Sequence, residues 1–312
     1  MMQTFLTALK NKLLLAGFTQ NEVNAIIVDY QEMIDQAIKQ GLKEEAIEDT
    51  FGSVEQIVAE IKQNSTTKAF EDIGQLINRY DKKLIQNIDI DLVNEDVKVM
   101  THEESYFKLT YDGIFDHNFV SVEVSNETLI IKNNKKYQGL KKDRHKLSFY
   151  LYVPKDVRLN QVAVGSINGE LNLQQISGNQ LKVYNVNGLS KLYNNEFLEI
   201  KFDGVNATCF INNNFSDVLN AKTVSGNLEL IENDTTETLS VTTVSAKINI
   251  QHTMLQHLKV NTVSGHIQCN EVYPEKLYFH SISGHITFEN NDTSKEIKIE
   301  NKRTMSGKVI IK

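Results

Sequence analysis

The residues best placed for metal or proton chemistry are His266 and His285, which occupy equivalent positions in a repeated motif. The copies read TVSGHIQC at 262–269 and SISGHITF at 281–288, and each histidine follows the glycine. On neighbouring parallel strands the two imidazoles would lie about 5 Å apart, where they could share a zinc ion or respond to pH. We favour a solvent-facing column without metal, because other copies place unrelated residues at this position: Glu170, Leu189, Thr208, Asn227, Lys247 and Lys308.

A second candidate is the basic segment 132–146, KNNKKYQGLKKDRHK, which has seven Lys or Arg residues and one Asp. The simplest interpretation is a solvated hairpin loop. The functional interpretation is contact with anionic lipid headgroups, teichoic acid or another phosphate polymer of the cell wall. The residues expected to make this contact are Lys135, Lys136, Lys141, Lys142, Arg144 and Lys146.

Hydroxyl side chains recur one and three residues before the motif glycine or alanine. We expect them to face outward and to hydrogen-bond along the stack as ladders. The alternative is that the hydroxyl array binds a carbohydrate. The residues concerned are Thr223, Ser225, Thr243, Ser245, Thr262, Ser264, Ser281 and Ser283.

No catalytic residue is predicted. The sequence has no Ser/His/Asp arrangement, phosphate loop or paired cysteine motif, and acids such as Asp203 and Glu229 stand isolated among Ser, Thr and Asn. We therefore expect a protein that is not an enzyme and uses no cofactor. A solenoid hydrolase is the remote alternative.

These candidates all depend on a repeat that positions them. Its small residue recurs at spacings of 19, 19, 19, 20, 19, 19 and 23, which predicts a β-solenoid of about eight coils of about 19 residues. Apolar residues two before, two after and four after the small residue are expected to face the interior. The small residue itself should mark a narrow interior that admits at most a methyl group. It occurs at Gly169, Gly188, Ala207, Gly226, Ala246, Gly265, Gly284 and Gly307.

The same register places Cys209 and Cys269 inside, three coils apart. That separation is roughly 14 Å at the strand spacing and exceeds the reach of a disulfide. We expect two free, buried thiols.

The rest of the chain divides into three further segments. Residues 89–160 read as an irregular β region that caps the first coil, and 63–88 as a connecting amphipathic helix. Residues 1–62 read as a small helical module, with capping boxes at Thr19/Glu22 and Ser53/Gln56. The predicted class is α+β multidomain, with the solenoid over 161–312 and an open last coil where copies could associate.

Two resemblances follow from these motifs. Residues containing VDYQEMI, GLKEEAI and FGSVEQIVAEI resemble the bacterial HAAS signalling domain, although Phe18-Thr19 stands where that family has proline. The segment LSFYLYVPKDVRLNQVAVGSINGELNL and the TVSG copies are similar to the bacterial β-strand-repeat "putative adhesin" family, which includes daptomycin-sensing surface proteins. Together they imply a solenoid linked to envelope-stress signalling and a protein partner for the helical module.

The composition of the chain narrows the expected function and location. A net charge of −7 disfavours nucleic-acid binding, and no signal peptide or membrane span is evident. We expect a cytoplasmic protein, with a peripheral position at the cell surface as the alternative. The favoured function is a non-enzymatic signalling or interaction protein whose solenoid is a scaffold or ligand-facing surface. The runner-up is an adhesin-like binder of carbohydrate or envelope polymer.

Overall fold

The structure, a computed structural model, describes residues 2–16, 20–39, 46–67, 74–134, 147–292 and 295–312. The chain divides into a helical unit, Met1–Asp72, and a β unit, Ile73–Lys312. Among the described helices, none is both long and apolar enough to cross a bilayer.

The described part of the helical unit contains four helices, α1 (Met2–Leu15), α2 (Gln20–Lys39), α3 (Ile47–Phe51) and α4 (Val54–Thr67). Their apolar stripes form one core of their own. The predicted capping box at the start of α4 is confirmed, because the Ser53 amide donates to Gln56 Oε1 (3.1 Å) and the Gln56 amide to Ser53 Oγ (3.3 Å). Thr19, the residue that would cap α2, lies outside the described residues.

The β unit is built from short strands separated by tight corners. The described strands are β1 (Gln75–Asp81), β2 (Asn87–Asp91), β3 (Asp96–His102), β4 (Tyr106–Asp112), β5 (Val120–Ser125), β6 (Thr128–Asn133), β7 (Ser148–Pro154), β8 (Arg158–Ser166), β9 (Leu171–Gln174), β10 (Ser177–Asn185), β11 (Leu189–Tyr193), β12 (Glu196–Gly204), β13 (Thr208–Asn212), β14 (Phe215–Thr223), β15 (Leu228–Ile231), β16 (Asp234–Thr243), β17 (Lys247–Gln251), β18 (Met254–Thr262), β19 (His266–Asn270), β20 (Lys276–Ser281), β21 (His285–Glu289), β22 (Lys298–Thr304) and β23 (Lys308–Ile311).

The predicted solenoid is confirmed. From β8–β9 to β22–β23, each of eight coils gives its longer strand to one sheet and its shorter strand to the other, and successive coils pair in parallel. The described residues two and four after the small residue are buried in the coils from β8–β9 to β20–β21, as Leu228 and Leu230 illustrate. Cys209 and Cys269 are also buried and free, as expected.

The predicted cap over 89–160 is not a separate irregular layer. Strand β2 pairs in parallel with β6 and β8, and β3 pairs in parallel with β7 and β9. The same two sheets therefore run through this region, and the β2–β3 coil lies between strands that come later in the chain. Among the described strands, only the outermost ones, β1, β4 and β5, join antiparallel.

The prediction of a connecting helix over 63–88 is wrong from Gln75 onward, and residues 68–73 lie outside the described residues. Helix α4 continues to Thr67, but Gln75–Asp81 and Asn87–Asp91 are strands. The spacing of Ile77 and Tyr80 looked helical because the pairing of β1 with β4 shifts register at Leu76/Asn78. Such a bulge places two residues three apart on one face of a strand.

The small residue of each repeat lies in a narrow interior, as predicted; Ala207 and Ala246 each fit a methyl group there, but at Gly226 the limit is tighter than one methyl group. A β-carbon added at Gly226 would stand 1.8 Å from the carbonyl oxygen of Ala207 in the coil before it. Its backbone needs no left-handed conformation, because among the described residues the positive φ values fall elsewhere. Lack of room, rather than a turn requirement, explains this glycine.

The corner between the two sheets overturns one part of the predicted orientation. Thr223 ends β14 and is buried, whereas Val224 and Ser225 both face outward before Gly226 turns in again. Two consecutive exposed residues shift the inside–outside alternation by one. The apolar residues two before the small residue are therefore not core; those more than two-fifths exposed are Val224, Val244, Val263, Ile282 and Met305.

Candidate functional site

The predicted outward hydroxyl ladder is half wrong. Thr223, Thr243 and Thr262 are buried and Ser281 is half-buried, because each lies before the corner at which the alternation shifts. Their hydroxyls are used inside the fold, where each accepts a hydrogen bond from the backbone amide three residues later. The distances are 3.2 Å for Thr223, 2.9 Å for Thr243, 2.8 Å for Thr262 and 2.7 Å for Ser281.

The residues directly before the small residue do face outward and form a ladder. Asn168 donates to Asn94 (2.7 Å), Asn187 to Asn168 (3.0 Å) and Asn206 to Asn187 (3.3 Å), and Ser225 donates to Asn206. In later coils the ladder is continued by serines. The hydroxyls of Ser264, Ser283 and Ser306 bond instead to backbone carbonyls of the preceding coil, as Ser264 does to Val244 at 3.4 Å.

An open groove runs along this corner, across the strands. Its volume is about 800 Å³. One wall is the exposed apolar column Val224, Val244, Val263, Ile282 and Met305. The other is the polar column Lys222, Thr242, Asn261, His280 and Arg303, in which Thr242 and His280 are half-buried and the rest exposed. We call this feature the corner groove. The buried hydroxyl residues lie between the two columns, together with Gly204 and Thr304 at its ends.

The corner groove is apolar with a positive charge at each end. Its lining residues include Lys222 and Arg303 and no aspartate or glutamate. Lys222 lies opposite Asp203 in the neighbouring strand, whereas Arg303 lies opposite His280. Neither Lys222 nor Arg303 forms an ion pair with a described carboxylate, but Lys222 has a carboxylate as its register neighbour and Arg303 does not, so the positive potential at Arg303 is less offset.

The sequence did not predict the corner groove, because the apolar residues two before each small residue were expected to face the interior. The signal that could have found it is the two-residue polar–small step, such as Ser225-Gly226, which marks a corner and not the middle of a strand. Once a corner is placed there, the residues before it and after it belong to different strands, so the period-two pattern does not assign them to one face.

His266 and His285 stack as predicted, with ring centroids 5.3 Å apart and planes 2° from parallel. The pair lies between Lys247 and Lys308 in register. No described group brings three metal-binding side chains together, and flanking cations oppose a bound divalent ion. The arrangement offers two ligands in a cationic column, and zinc binding there stays untested.

Most of the basic segment cannot be placed, because residues 135–146 lie outside the described residues. Those include all six predicted contact residues: Lys135, Lys136, Lys141, Lys142, Arg144 and Lys146. Lys132, at the start of the segment, lies in β6 and forms an ion pair with Asp89 at 2.6 Å.

Comparisons with known proteins agree with both sequence resemblances. Residues 85–310 match the family described as Toastrack DUF4097, and residues 4–60 match the HAAS family. A comparison with curated proteins finds no match.

Two solved crystal structures share the fold of the β unit. One is a "putative lipid binding protein" from Parabacteroides distasonis ATCC 8503, with a TM-score of 0.54 and 14% identity over 76% of this chain and 95% of that one. The other is a "putative adhesin" from Parabacteroides merdae ATCC 43184, with a TM-score of 0.54 and 17% identity over 77% of this chain and 97% of that one. Identities this low establish a common fold alone.

Proposed function

Since the chain belongs to the Toastrack DUF4097 family, we propose that it is a non-enzymatic interaction protein of bacterial envelope-stress signalling. Its solenoid binds lipid through the corner groove, and its helical unit binds a protein partner. The HAAS and Toastrack matches, with relatives described as an adhesin and a lipid binding protein, fit a non-enzymatic interaction protein. The more specific part of the proposal, lipid binding through the corner groove, rests on the surface of the solenoid.

The observation that carries the proposal is the exposed apolar wall of the corner groove. Val224, Val244, Val263 and Ile282 are each 41–49% exposed and stand in consecutive coils, and Met305 follows at 86%. Isolated apolar residues are ordinary on protein surfaces, but a continuous apolar strip marks a binding surface. Cationic side chains beside the strip suit a ligand that is apolar along its length and anionic at one end.

One further surface and one further segment of the sequence support interaction. In the helical unit, Val28 and Met33 of α2 are each more than half exposed although the unit has its own core, which suits a protein partner. In the β unit, the basic residues Lys135, Lys136, Lys141 and Lys142 would add a contact with anionic headgroups. Reversing these four charges is expected to abolish binding to anionic vesicles at low salt.

Vesicle flotation tests the lipid half of the proposal. The full chain is expected to float with vesicles containing phosphatidylglycerol, and Val263→Asp is expected to weaken this flotation because it puts a carboxylate in the apolar wall. Met254→Asp is the matched control, since Met254 is exposed at the other end of β18 and does not line the groove. Absence of flotation by the unmodified chain, or equal flotation of both variants, would overturn the proposal.

A further inference from the structure

We propose that the corner groove holds a single-chain anionic lipid, with its acyl chain extended along the apolar wall and its carboxylate or phosphate at Arg303. This inference rests on the proposed function and narrows it from a lipid surface to one molecule lying across the coils.

The length of the groove suits one acyl chain. Lys222, Thr242, Asn261, His280 and Arg303 are register partners in five consecutive coils. Four steps at the strand spacing give roughly 19 Å. One leaflet of a bilayer provides about 15 Å of hydrocarbon, so an extended chain covers most of the groove and leaves its polar end beside a terminal coil. The groove volume of about 800 Å³ lies within the ordinary range of small-molecule sites.

Along the apolar wall and the floor of the groove the polar groups are already hydrogen-bonded, which favours an acyl chain over a peptide or a sugar. Along the apolar wall, backbone groups bond from coil to coil: Ser245 N to Val224 O (2.9 Å), Ser264 N to Val244 O (2.8 Å) and Ser283 N to Val263 O (2.8 Å).

The hydroxyls of the groove floor also have hydrogen-bond partners, because those of Thr223, Thr243 and Thr262 accept hydrogen bonds from backbone amides. A peptide strand or a glycan needs partners for its polar groups along its whole length, and leaving them unpaired in a site weakens binding. A hydrocarbon chain needs none.

The charge distribution gives the lipid a direction. Lys222, at one end, lies opposite Asp203 in the neighbouring strand, and the carboxylate of Asp203 pairs with Lys201 at 2.9 Å. Arg303, at the other end, lies opposite His280 and can hold a carboxylate or phosphate with two parallel hydrogen bonds. The anionic group is therefore held at the Arg303 end.

Displacement of fluorescent cis-parinaric acid from the full chain tests the proposal, with palmitate, lysophosphatidylglycerol and neutral monopalmitoylglycerol as competitors. All three are expected to displace the probe, and the two anions to do so more tightly. Arg303→Gln is expected to weaken both anions about tenfold or more and to leave monopalmitoylglycerol unchanged. Lys222→Gln is expected to have a smaller effect, and Val263→Asp to weaken all three competitors.

Lys298→Gln is the matched control for Arg303→Gln, because Lys298 lies on the same strand, pairs with Glu300 at 2.7 Å and does not line the groove. Thermal unfolding of each variant separates lost binding from lost folding. Failure of palmitate and lysophosphatidylglycerol to displace the probe would overturn the proposal. Equal displacement of the probe from Val263→Asp and from the unmodified chain would overturn it as well. A larger effect of Lys222→Gln than of Arg303→Gln would overturn the assigned direction. If flotation depends on Val263 but no single-chain lipid binds, the proposed function stands and this inference fails.

Discussion

Asn233 bonds to Asn214 of the preceding coil through one buried oxygen. Its Oδ1 accepts from the backbone amide of Asn214 at 3.1 Å and from the Asn214 side chain at 3.2 Å. Asn214 repeats the arrangement with Asn195 at 3.0 and 2.9 Å. All three are almost fully buried, so the corner of the solenoid opposite the groove is held by a buried amide ladder.

Replacing Asn214 with alanine is expected to destabilise the β unit by about 3 kcal/mol. The change leaves the buried amide of Asn195 and the carbonyl of Leu192 without the partner they have now, and each unsatisfied buried group costs about 1–3 kcal/mol. Urea unfolding measures the loss. Asn187→Ala removes a member of the exposed ladder and should change the unfolding free energy by no more than about 0.5 kcal/mol; equal losses would contradict a special role for the buried ladder.

Gly226→Val is expected to destabilise the solenoid by about 3 kcal/mol, because a β-carbon there meets the backbone of Ala207. The neighbouring Asn227→Val introduces the same side chain at an exposed position, and a change within about 0.5 kcal/mol is expected. Thermal unfolding of the two variants compares them directly. An unchanged melting temperature for Gly226→Val would refute the steric explanation.

The thiols of Cys209 and Cys269 should not react until the solenoid unfolds. Burial raises the pKa of both thiols, so little thiolate forms, and neither sulfur is exposed to a reagent. Reaction with a chromogenic disulfide at pH 8 should be negligible in buffer and reach two equivalents in denaturant. Rapid modification of the native chain would show that these coils open readily.

Glu229→Gln should alter how stability depends on pH. Burial raises the pKa of the Glu229 carboxyl, and the charge of Lys247 partly opposes that rise. A raised folded-state pKa gives stability that is present at low pH and lost as pH rises through the folded value. The glutamine variant should therefore gain stability relative to the unmodified chain between pH 4 and pH 7.

Urea unfolding at both pH values checks the Glu229 prediction. Glu237→Gln, on the exposed surface of β16, is the control and should show no such gain. A constant difference between Glu229→Gln and the unmodified chain across this range would count against a raised folded-state pKa.

Much of the architecture could be predicted because the repeat is regular. The spacing of 19 residues predicted the eight coils, and the stacked rings of His266 and His285 followed from register alone. The amide ladder of Asn195, Asn214 and Asn233 has the same spacing but was missed, because asparagine in a loop is also typical of an ordinary turn.

By itself the sequence determined the period, the helical unit, the free thiols and, in every coil but the last, the buried positions after the small residue, because these depend on local periodicity. Only the tertiary structure decided which residues face outward at the corner. Thr223 turns in and Val224 turns out, since a corner between two sheets shifts an alternation that holds only within one strand. The pairing of β2 with both β6 and β8 was likewise decided by long-range packing, which no local pattern records.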